Sequence, residues 1–293
     1  MSTILWSLLT TSLAHNLQRT TTIPNVYHKP DVIIDEMHQL CRIHEHMRCF
    51  TSHDIPYAVI TGVDTSTHDV VIALQHSREL IAGEVAYHML QKYAKQKPPH
   101  TLVIVPVVNI CATKRVWAGE HRLRTSCSNI DLNRQFTDVI GSHKCEHHYN
   151  RNDGYQEWPG EQAISEPESK LLVELLLKFK PRTFLNIHSG EHSVYSPFDH
   201  DQHRALPHQN GYDHKLKRII SSHDCMECEG EHHLGAAYTH SSYSAWCSTG
   251  DYVVLNHLAT YAWTLEVSPK GPSSISLAYL TSSIHDFHRF TET

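Results

Sequence analysis

No stretch of the sequence stays apolar for the roughly 18 residues that a membrane-spanning helix needs. Basic side chains are not in excess either: 25 Lys and Arg stand against 31 Asp and Glu, and the formal net charge is −6 with neutral histidine. Because proteins bind nucleic-acid phosphates mainly through clustered Lys and Arg, this balance argues against a nucleic-acid partner. Internal repeats, long linkers and shifts in composition are also missing. We therefore expect a single globular domain without a membrane span.

Histidine is present in unusual number, with 27 copies. Protonation of all of them would change the formal net charge from −6 to +21. The electrostatic field at the surface should therefore depend on pH between about 5 and 7. We interpret the excess as a bias in composition rather than as a metal store or a pH switch.

The N-terminus carries the pattern of a signal peptide in residues 1–14. An apolar stretch at residues 4–9 precedes Ser12 and Ala14, the small residues expected before a cleavage site. The eight cysteines are an even number, which favours disulfides in an exported chain and leaves 105 pairings open. We therefore expect a secreted or lumenal protein. The run Cys225-Met226-Glu227-Cys228, followed by two histidines, could alternatively be a redox or zinc motif.

Apolar segments of strand character alternate with segments of helical periodicity, which predicts an α/β sheet covered on both faces. Helices are predicted at residues 28–47, 80–97, 166–180 and 274–287. Strands are predicted at residues 57–60, 70–74, 101–108, 184–187, 252–258 and 261–267, and residues 111–160 are predicted to be rich in loops.

A candidate metal site follows two of these strands, where open α/β sheets place their ligands. His76 and Glu79 are three residues apart and could face one point from the first turn of a helix. His188 lies far along the chain at the end of another strand and could complete a His-Glu-His set. A catalytic zinc site uses three such protein ligands and keeps one open position.

Two further groups could act on a substrate at the same edge of the sheet. The amide of Asn133 and the guanidinium of Arg134 could together bind one carboxylate. Glu266 closes an apolar strand, and a partly desolvated carboxylate there could have a raised pKa and serve as a base. Taken alone, each of these residues also fits a structural or solvated role.

Three short runs link these residues into a more specific pattern. Residues 76–79 read H-S-R-E, residues 129–134 read N-I-D-L-N-R, and residues 165–168 read S-E-P-E. In this order they resemble the zinc metallocarboxypeptidase family of carboxypeptidase A-like enzymes, in which the second run begins with Gly. The resemblance covers the chain from about Tyr27 onwards. It implies a single α/β domain with a mixed parallel and antiparallel twisted sheet and helices on both faces.

The resemblance assigns the catalytic roles residue by residue. It makes His76, Glu79 and His188 the ligands of one Zn²⁺ ion per chain. It makes Glu266 the general base that acts on the zinc-activated water. The implied activity is the hydrolysis of the C-terminal peptide bond of peptides or proteins.

The resemblance also assigns the residues that hold the substrate. Asn133 and Arg134 would bind its free α-carboxylate. Arg122 would stabilise the developing oxyanion, with Arg124 as the alternative because the Arg-rich stretch is shortened here.

The identity of the terminal-residue pocket stays open in the sequence. Tyr243 would close over the terminal residue, with Tyr238 as the alternative. Counting forward from Tyr243 places Gly250 at the pocket floor, whereas counting back from Glu266 places Asp251 there. An acidic floor would select Lys or Arg, because an unpaired buried carboxylate is costly. We favour Gly250 and expect a neutral, apolar or aromatic C-terminal residue.

The N-terminal pattern and the resemblance together give the expected organisation of the chain. We expect a signal peptide at residues 1–14, an N-terminal extension at residues 15–26 and the catalytic domain at residues 27–293. No long activation segment is expected, because the resemblance already starts near Tyr27. Cys127 is expected to pair with Cys145, as a family cysteine bridges this loop.

The leading hypothesis is therefore a secreted zinc exopeptidase that acts as a monomer. One alternative is a zinc deacylase or amidohydrolase that cleaves N-acyl amino acids on the same scaffold. Another is a catalytically silent, His-rich metal-binding protein. The complete ligand set and Glu266 argue against the silent protein.

Overall fold

In the computed structural model, the described part of the chain forms one mixed sheet of eight strands. These are β1 (Met47–Ser52), β2 (Ile55–Ile60), β3 (Asp64–Ala73), β4 (His100–Val105), β5 (Thr183–His188), β6 (His192–Ser196), β7 (His233–Ala236) and β8 (Tyr261–Val267). Their order across the sheet is β1-β2-β4-β3-β5-β8-β6-β7. Strands β4, β3, β5 and β8 run parallel to their neighbours in this series, whereas β2 and β6 flank the series in antiparallel orientation. The expected mixed α/β sheet is confirmed.

The structure describes residues 27–137, 149–151, 156–190, 192–201, 233–236 and 244–267, together with residues 23, 206, 208, 210–212, 214 and 215. Several predictions concern other parts of the chain. They are the signal peptide, the Cys225–Cys228 motif, Cys145, Tyr238, Tyr243 and the closing helix at 274–287, and they lie outside the described residues.

Helices pack against this sheet. They are α1 (Pro30–Ile43), α2 (Leu80–Lys95), α3 (Ile110–Trp117), α4 (Pro167–Phe179) and α5 (Thr249–Leu255). Proline stands in the first turn of both α1 and α4, where its missing N–H group leaves no intrahelical bond unmade. Among the described helices, none is long and apolar enough to cross a membrane.

The central parallel strands form the core. Residues 70–73 of β3 and residues 102–105 of β4 are all buried, as are all six residues of β5. Continuous apolar runs of this kind are typical of strands that are covered on both faces. Because β3, β5 and β8 are parallel, their carboxyl ends meet at the same edge of the sheet.

Two predictions of secondary structure were wrong. Residues 252–258 were expected to form a strand, but their first part belongs to α5. The Val253-Val254 pair favours a strand locally, yet Ser248 caps a helix there by accepting a hydrogen bond from Asp251 N–H at 3.3 Å. The expected loop after Cys111 instead begins inside α3, which Asn109 caps through Ala112 N–H.

Disulfides join neighbouring elements of the fold. Cys41 of α1 is bonded to Cys49 of β1, and Cys111 of α3 is bonded to Cys127. The predicted Cys127–Cys145 bridge was therefore wrong. The first turn of α3 lies beside the loop that carries Cys127, with the two Cα atoms 6.0 Å apart. Cys247 is also disulfide-bonded.

Candidate active site

Three buried side chains converge at the carboxyl edge of the sheet. His76 Nδ1 lies 2.8 Å from Glu79 Oε1, and His188 Nδ1 lies 2.8 Å from Glu79 Oε2. The two Nδ1 atoms are 3.1 Å apart. The three side chains are buried, at between 2% and 7% exposed. Among the described residues, these three form a cluster that could hold a metal ion.

The backbone explains why the side chains meet. His76 and Glu79 lie in the turn between β3 and α2, where Glu79 N–H donates a hydrogen bond to the His76 carbonyl at 3.2 Å. They were expected on the first helical turn, but Glu79 is the residue before α2 begins. The turn starts at Leu74, whose φ of 55° redirects the chain after β3. His188 is the last residue of β5, the neighbour of β3.

Asp131 fixes the orientation of His76. Asp131 Oδ1 lies 3.1 Å from His76 Nε2, and its other oxygen accepts a hydrogen bond from Arg124 Nε at 2.9 Å. Burial opposes ionisation of Asp131, but the charges of Arg124 and His76 hold its pKa well below its ordinary value. A carboxylate beside Nε2 favours the tautomer of His76 that is protonated at Nε2. The lone pair of Nδ1 then points into the cluster. Asp131 lies within the D-L-N-R run, but its contact with His76 was not predicted from the sequence.

The donor set fits Zn²⁺. Two imidazole nitrogens and one carboxylate match the three protein ligands of catalytic zinc sites. Burial resists ionisation of Glu79, yet the facing His76 and His188 rings keep its pKa below its ordinary value. The two ring nitrogens are 3.1 Å apart and lie beside an ionised carboxylate, so this cluster favours binding of a cation.

Glu266 lies next to this cluster by strand register. It pairs with His188 across β5 and β8, and side chains in register on neighbouring strands point to the same face. A Cβ atom built on Gly190, whose φ is 155°, would lie 3.7 Å from Glu266 Oε2. Since β8 lies between β5 and β6, Glu266 is not on an exposed edge strand. The structure therefore brings Glu266 to the predicted ligands.

The expected carboxylate-binding pair lies in a single turn of 3₁₀ helix, Leu132–Arg134. Asn133 Oδ1 accepts a hydrogen bond from Thr249 N–H at 2.9 Å. Arg134 is 2% exposed, and its Nη2 donates to Glu157 Oε1 at 2.9 Å. A carboxylate of the protein itself thus contacts the guanidinium expected to bind the substrate. Glu157 was missed by sequence reasoning, because its contact depends on how the 156–160 segment folds back.

The two candidate arginines occupy different environments. Arg122 is exposed, and its carbonyl accepts hydrogen bonds from Arg78 Nη1 at 3.3 Å and from Gln156 Nε2 at 3.0 Å. The Arg124 side chain is 12% exposed and is paired with Asp131 beside the cluster. Burial lowers the pKa of Arg124, but the Asp131 charge more than offsets this, so the guanidinium stays charged. The structure brings Arg124, the alternative of the pair, to the site.

The candidate pocket residues also occupy different positions. Asp251 is 2% exposed; its Oδ1 accepts from Asp199 N–H at 2.8 Å, and its Oδ2 contacts His200 Nδ1. A Cβ atom on Gly250 would lie 3.7 Å from Asp199 Oδ2 and 4.0 Å from Thr264 Oγ1. The space beside Gly250 is therefore bordered by a carboxylate that we did not predict.

Asp199 follows β6 in a loop with no motif of its own, so the sequence gives no signal for its position. Burial, together with the nearby Asp251 charge, raises the pKa of Asp199 to about 7.

Comparisons with known proteins agree with this geometry. The sequence profile described as zinc carboxypeptidase matches residues 39–283. A search of curated protein sequences finds no significant match.

Similar solved structures share the fold. Bovine thrombin-activatable fibrinolysis inhibitor, in complex with tick carboxypeptidase inhibitor, is 16% identical with a TM-score of 0.74, over 90% of this chain and 94% of that one. Carboxypeptidase A from Helicoverpa armigera is 16% identical with a TM-score of 0.75, over 91% and 74%. Murein-tripeptide amidase MpaA from Escherichia coli O157 is 18% identical with a TM-score of 0.53, over 81% and 88%. With the profile match extending over most of its length, the chain belongs to the zinc carboxypeptidase family.

Proposed function

We propose that this protein is a zinc-dependent exopeptidase that hydrolyses the C-terminal peptide bond of peptides or proteins. The observation that carries the proposal is the register of β5 and β8, in which Glu266 pairs with His188 of the buried His76-Glu79-His188 cluster. A base beside a three-ligand metal site is the arrangement needed to activate water for hydrolysis.

His76, Glu79 and His188 would hold the zinc ion, and Asp131 would keep His76 in the binding orientation. The ion would supply Lewis acidity, lowering the pKa of a water molecule and polarising the scissile carbonyl. Glu266 would accept the proton of the attacking water and deliver it to the leaving amine.

Arg124 is the better candidate for stabilising the oxyanion. Its guanidinium is held beside the cluster by Asp131, whereas Arg122 is exposed. A preorganised charge at the position of a developing oxyanion contributes about 3 kcal/mol to transition-state stabilisation.

Asn133 and Arg134 would bind the free carboxylate of the substrate. Asn133 Oδ1 accepts a hydrogen bond from Thr249 N–H, so the amide nitrogen of Asn133 faces away from Thr249. This nitrogen would donate to the substrate carboxylate. Arg134 would add the charge. Two donors fixed on the terminal carboxylate would determine which bond reaches the catalytic groups, so one residue would be released at a time. Tyr243 remains the proposed group that closes over the terminal residue.

The pocket favours a cationic terminal residue. Asp251 is engaged by Asp199 N–H and His200, which supports Gly250 rather than Asp251 as the pocket floor. Asp199, however, borders the space beside Gly250 with a carboxylate. A Lys or Arg side chain there would form an ion pair and favour ionisation of Asp199. We therefore replace the expected preference for neutral residues with a preference for Lys or Arg.

A panel of peptides tests the function. Peptides ending in Lys, Arg, Phe or Leu, each with a free or an amidated C-terminus, are incubated with the protein, and released amino acids are quantified. We expect release from free C-termini, fastest for Lys and Arg. Activity should be lost with a zinc chelator and restored by added Zn²⁺.

Other outcomes would identify the alternatives. Equal cleavage of amidated peptides would contradict the exopeptidase. Exclusive cleavage of N-acyl amino acids, tested in parallel, would identify the deacylase. Stoichiometric zinc without any hydrolysis would identify a silent metal-binding protein.

A further inference from the structure

Gln75 directly precedes the zinc ligand His76 and is fully buried. Its backbone belongs to the turn that presents the metal ligands, and Asn109 Nδ2 donates a hydrogen bond to its carbonyl at 3.4 Å. Its side chain takes no part in the metal cluster or in the proposed proton transfers. The contacts of this side chain therefore point to a different use.

The Gln75 amide uses both of its polar atoms. Nε2 donates to the Leu132 carbonyl at 3.0 Å and to Thr249 Oγ1 at 2.8 Å. Oε1 accepts from Asn186 Nδ2 at 2.8 Å. Only the amides of glutamine and asparagine combine two N–H donors with a carbonyl acceptor, and asparagine is shorter by one methylene group. All of these groups are buried, so replacement would leave partners unsatisfied.

Both acceptors of Gln75 Nε2 belong to segments that fix Asn133. Leu132 is its neighbour in the 3₁₀ turn, and Thr249 donates its N–H to Asn133 Oδ1 at 2.9 Å. Gln75 thus holds the backbone before Asn133 and the residue that orients the Asn133 amide. It joins them to the turn that carries His76.

We propose that Gln75 is a positioning residue, which orients Asn133 toward the terminal carboxylate of the substrate and fixes its distance from the metal ligands. This inference rests on the proposed carboxylate-binding role of Asn133. Because Gln75 acts through Thr249 and Leu132, its loss should weaken recognition of the terminal carboxylate and leave the chemical step nearly intact.

The experiment compares Gln75→Met with Thr249→Val. The first variant keeps the length of the side chain and removes the amide, and the second removes only the hydroxyl that accepts from Gln75. We measure kcat and KM for one peptide with a free or an amidated C-terminus, together with zinc content. In both variants we expect KM for the free acid to rise about tenfold, which corresponds to about 1.4 kcal/mol. Values of kcat should change less than twofold, and zinc should stay stoichiometric.

Thr183→Val is the matched control. Thr183 is equally buried but lies at the first residue of β5, at the opposite end of the strand from His188. The same substitution there should leave the preference for the free acid unchanged. The double variant Gln75→Met/Thr249→Val should be no worse than Gln75→Met, because the hydrogen bond that Thr249→Val removes is already lost in Gln75→Met.

Several results would overturn the inference. They are an unchanged preference for the free acid in Gln75→Met, additive losses in the double variant, or a loss of kcat at constant KM. Should Gln75→Met fail to fold, an unchanged preference in Thr249→Val would overturn it equally. A wild-type protein that cleaves free and amidated peptides alike would overturn the carboxylate site and this role together. A wild type that prefers free acids, with variants that retain the preference, would overturn the role of Gln75 alone.

Discussion

Glu266 and His188 are paired across adjacent strands, yet we assign them different roles. Replacing Glu266 by Gln keeps the shape of the side chain and removes the base. We predict that kcat falls by about 10³-fold or more while KM and zinc content stay near those of the wild type. Steady-state kinetics and metal analysis check this.

His188→Ala should instead lose the metal, because two protein ligands hold zinc poorly. Near-normal turnover in Glu266→Gln would contradict the mechanism.

In the proposed role of Arg134, Glu157 would compete with the substrate for this guanidinium. Its segment is held along the site, where Trp158 O accepts from Asp131 N–H at 2.8 Å, and the Glu157 carboxylate is 2.9 Å from Arg134 Nη2. A substrate carboxylate bound by Arg134 would have to replace this charged partner. We predict that Glu157→Gln lowers KM for free-acid peptides roughly three- to tenfold at constant kcat, because a neutral amide is a weaker partner.

The same substitution at Glu161 is the control for this prediction. The Glu161 side chain is 83% exposed and lies 3.9 Å from Arg151. Glu161→Gln should leave KM unchanged. A rise in KM in Glu157→Gln would show instead that Glu157 orients Arg134 for binding.

Asp199 should make stability depend on pH. Its folded-state pKa of about 7 lies above the ordinary carboxyl value of 3.8. The folded state therefore binds more protons than the unfolded chain between about pH 4 and 7, and stability falls as the pH rises through that range. We predict that Asp199→Asn raises Tm by roughly 3–6 °C at pH 8 and much less at pH 4. Calorimetry at both pH values measures this.

The control for this prediction is Asp35→Asn, at an exposed position on α1, which should shift Tm equally and slightly at both pH values. A gain for Asp199→Asn that is the same at pH 4 and pH 8 would contradict ionisation as the cause.

At the scale of elements, the Cys111–Cys127 disulfide joins α3 to the loop that carries Arg124 and Asp131. It closes a separation of 16 residues, for which loop entropy gives about 3 kcal/mol of stabilisation. We predict that Cys111→Ser/Cys127→Ser lowers the free energy of unfolding by roughly 2–4 kcal/mol. It should also lower kcat, because Arg124 loses its support, while zinc stays bound. Denaturant unfolding and kinetics measure both effects.

The other described disulfide serves as the comparison. Cys41–Cys49 joins α1 to β1, which is at the far edge of the sheet from β8 and β6. Cys41→Ser/Cys49→Ser should reduce stability without changing kcat. Equal losses of kcat in both double variants would point to general destabilisation rather than to a role of the Arg124 loop.

The elements that the sequence predicted well are those whose local pattern agrees with their tertiary environment. The apolar runs of β3 and β5 indicated strands covered on both faces, and these residues are buried. Helix α5 was mistaken for a strand, because its β-branched pair outweighed the Ser248 cap in a local reading. Strands β1, β6 and β7 were not predicted.

The candidate site was predictable to the extent that it follows motifs. The resemblance supplied His76, Glu79, His188 and Glu266, and the structure brings these together. The surrounding charges were not predictable, because they reach the site from loops without a periodic pattern. Asp199 and Glu157 belong to this group.

At the scale of the whole molecule, the proposed zinc site links distant parts of the chain, so a bound metal should stabilise the complete fold. A ligand that binds only the native state adds stability in proportion to the logarithm of its concentration over Kd. We predict that EDTA lowers Tm by several degrees and that stoichiometric Zn²⁺ restores it. Thermal unfolding measures this. His188→Ala should have a low Tm that EDTA does not change, and an EDTA response equal to that of the wild type would contradict its role as a ligand.

The parallel pairing of β3, β5 and β8 would also determine when the proposed activity can arise during synthesis. The candidate metal ligands His76 and Glu79 are synthesised about a hundred residues before His188. The proposed base, Glu266, follows later still in β8. Long-range parallel pairing forms slowly, because its loops must close before the contacts stabilise it. A nascent chain that has not yet added β8 can therefore bind metal at most, and it lacks the base needed for hydrolysis. Because β8 is the last of the described strands to be synthesised, the proposed peptidase site would stay inactive until most of the chain has been made.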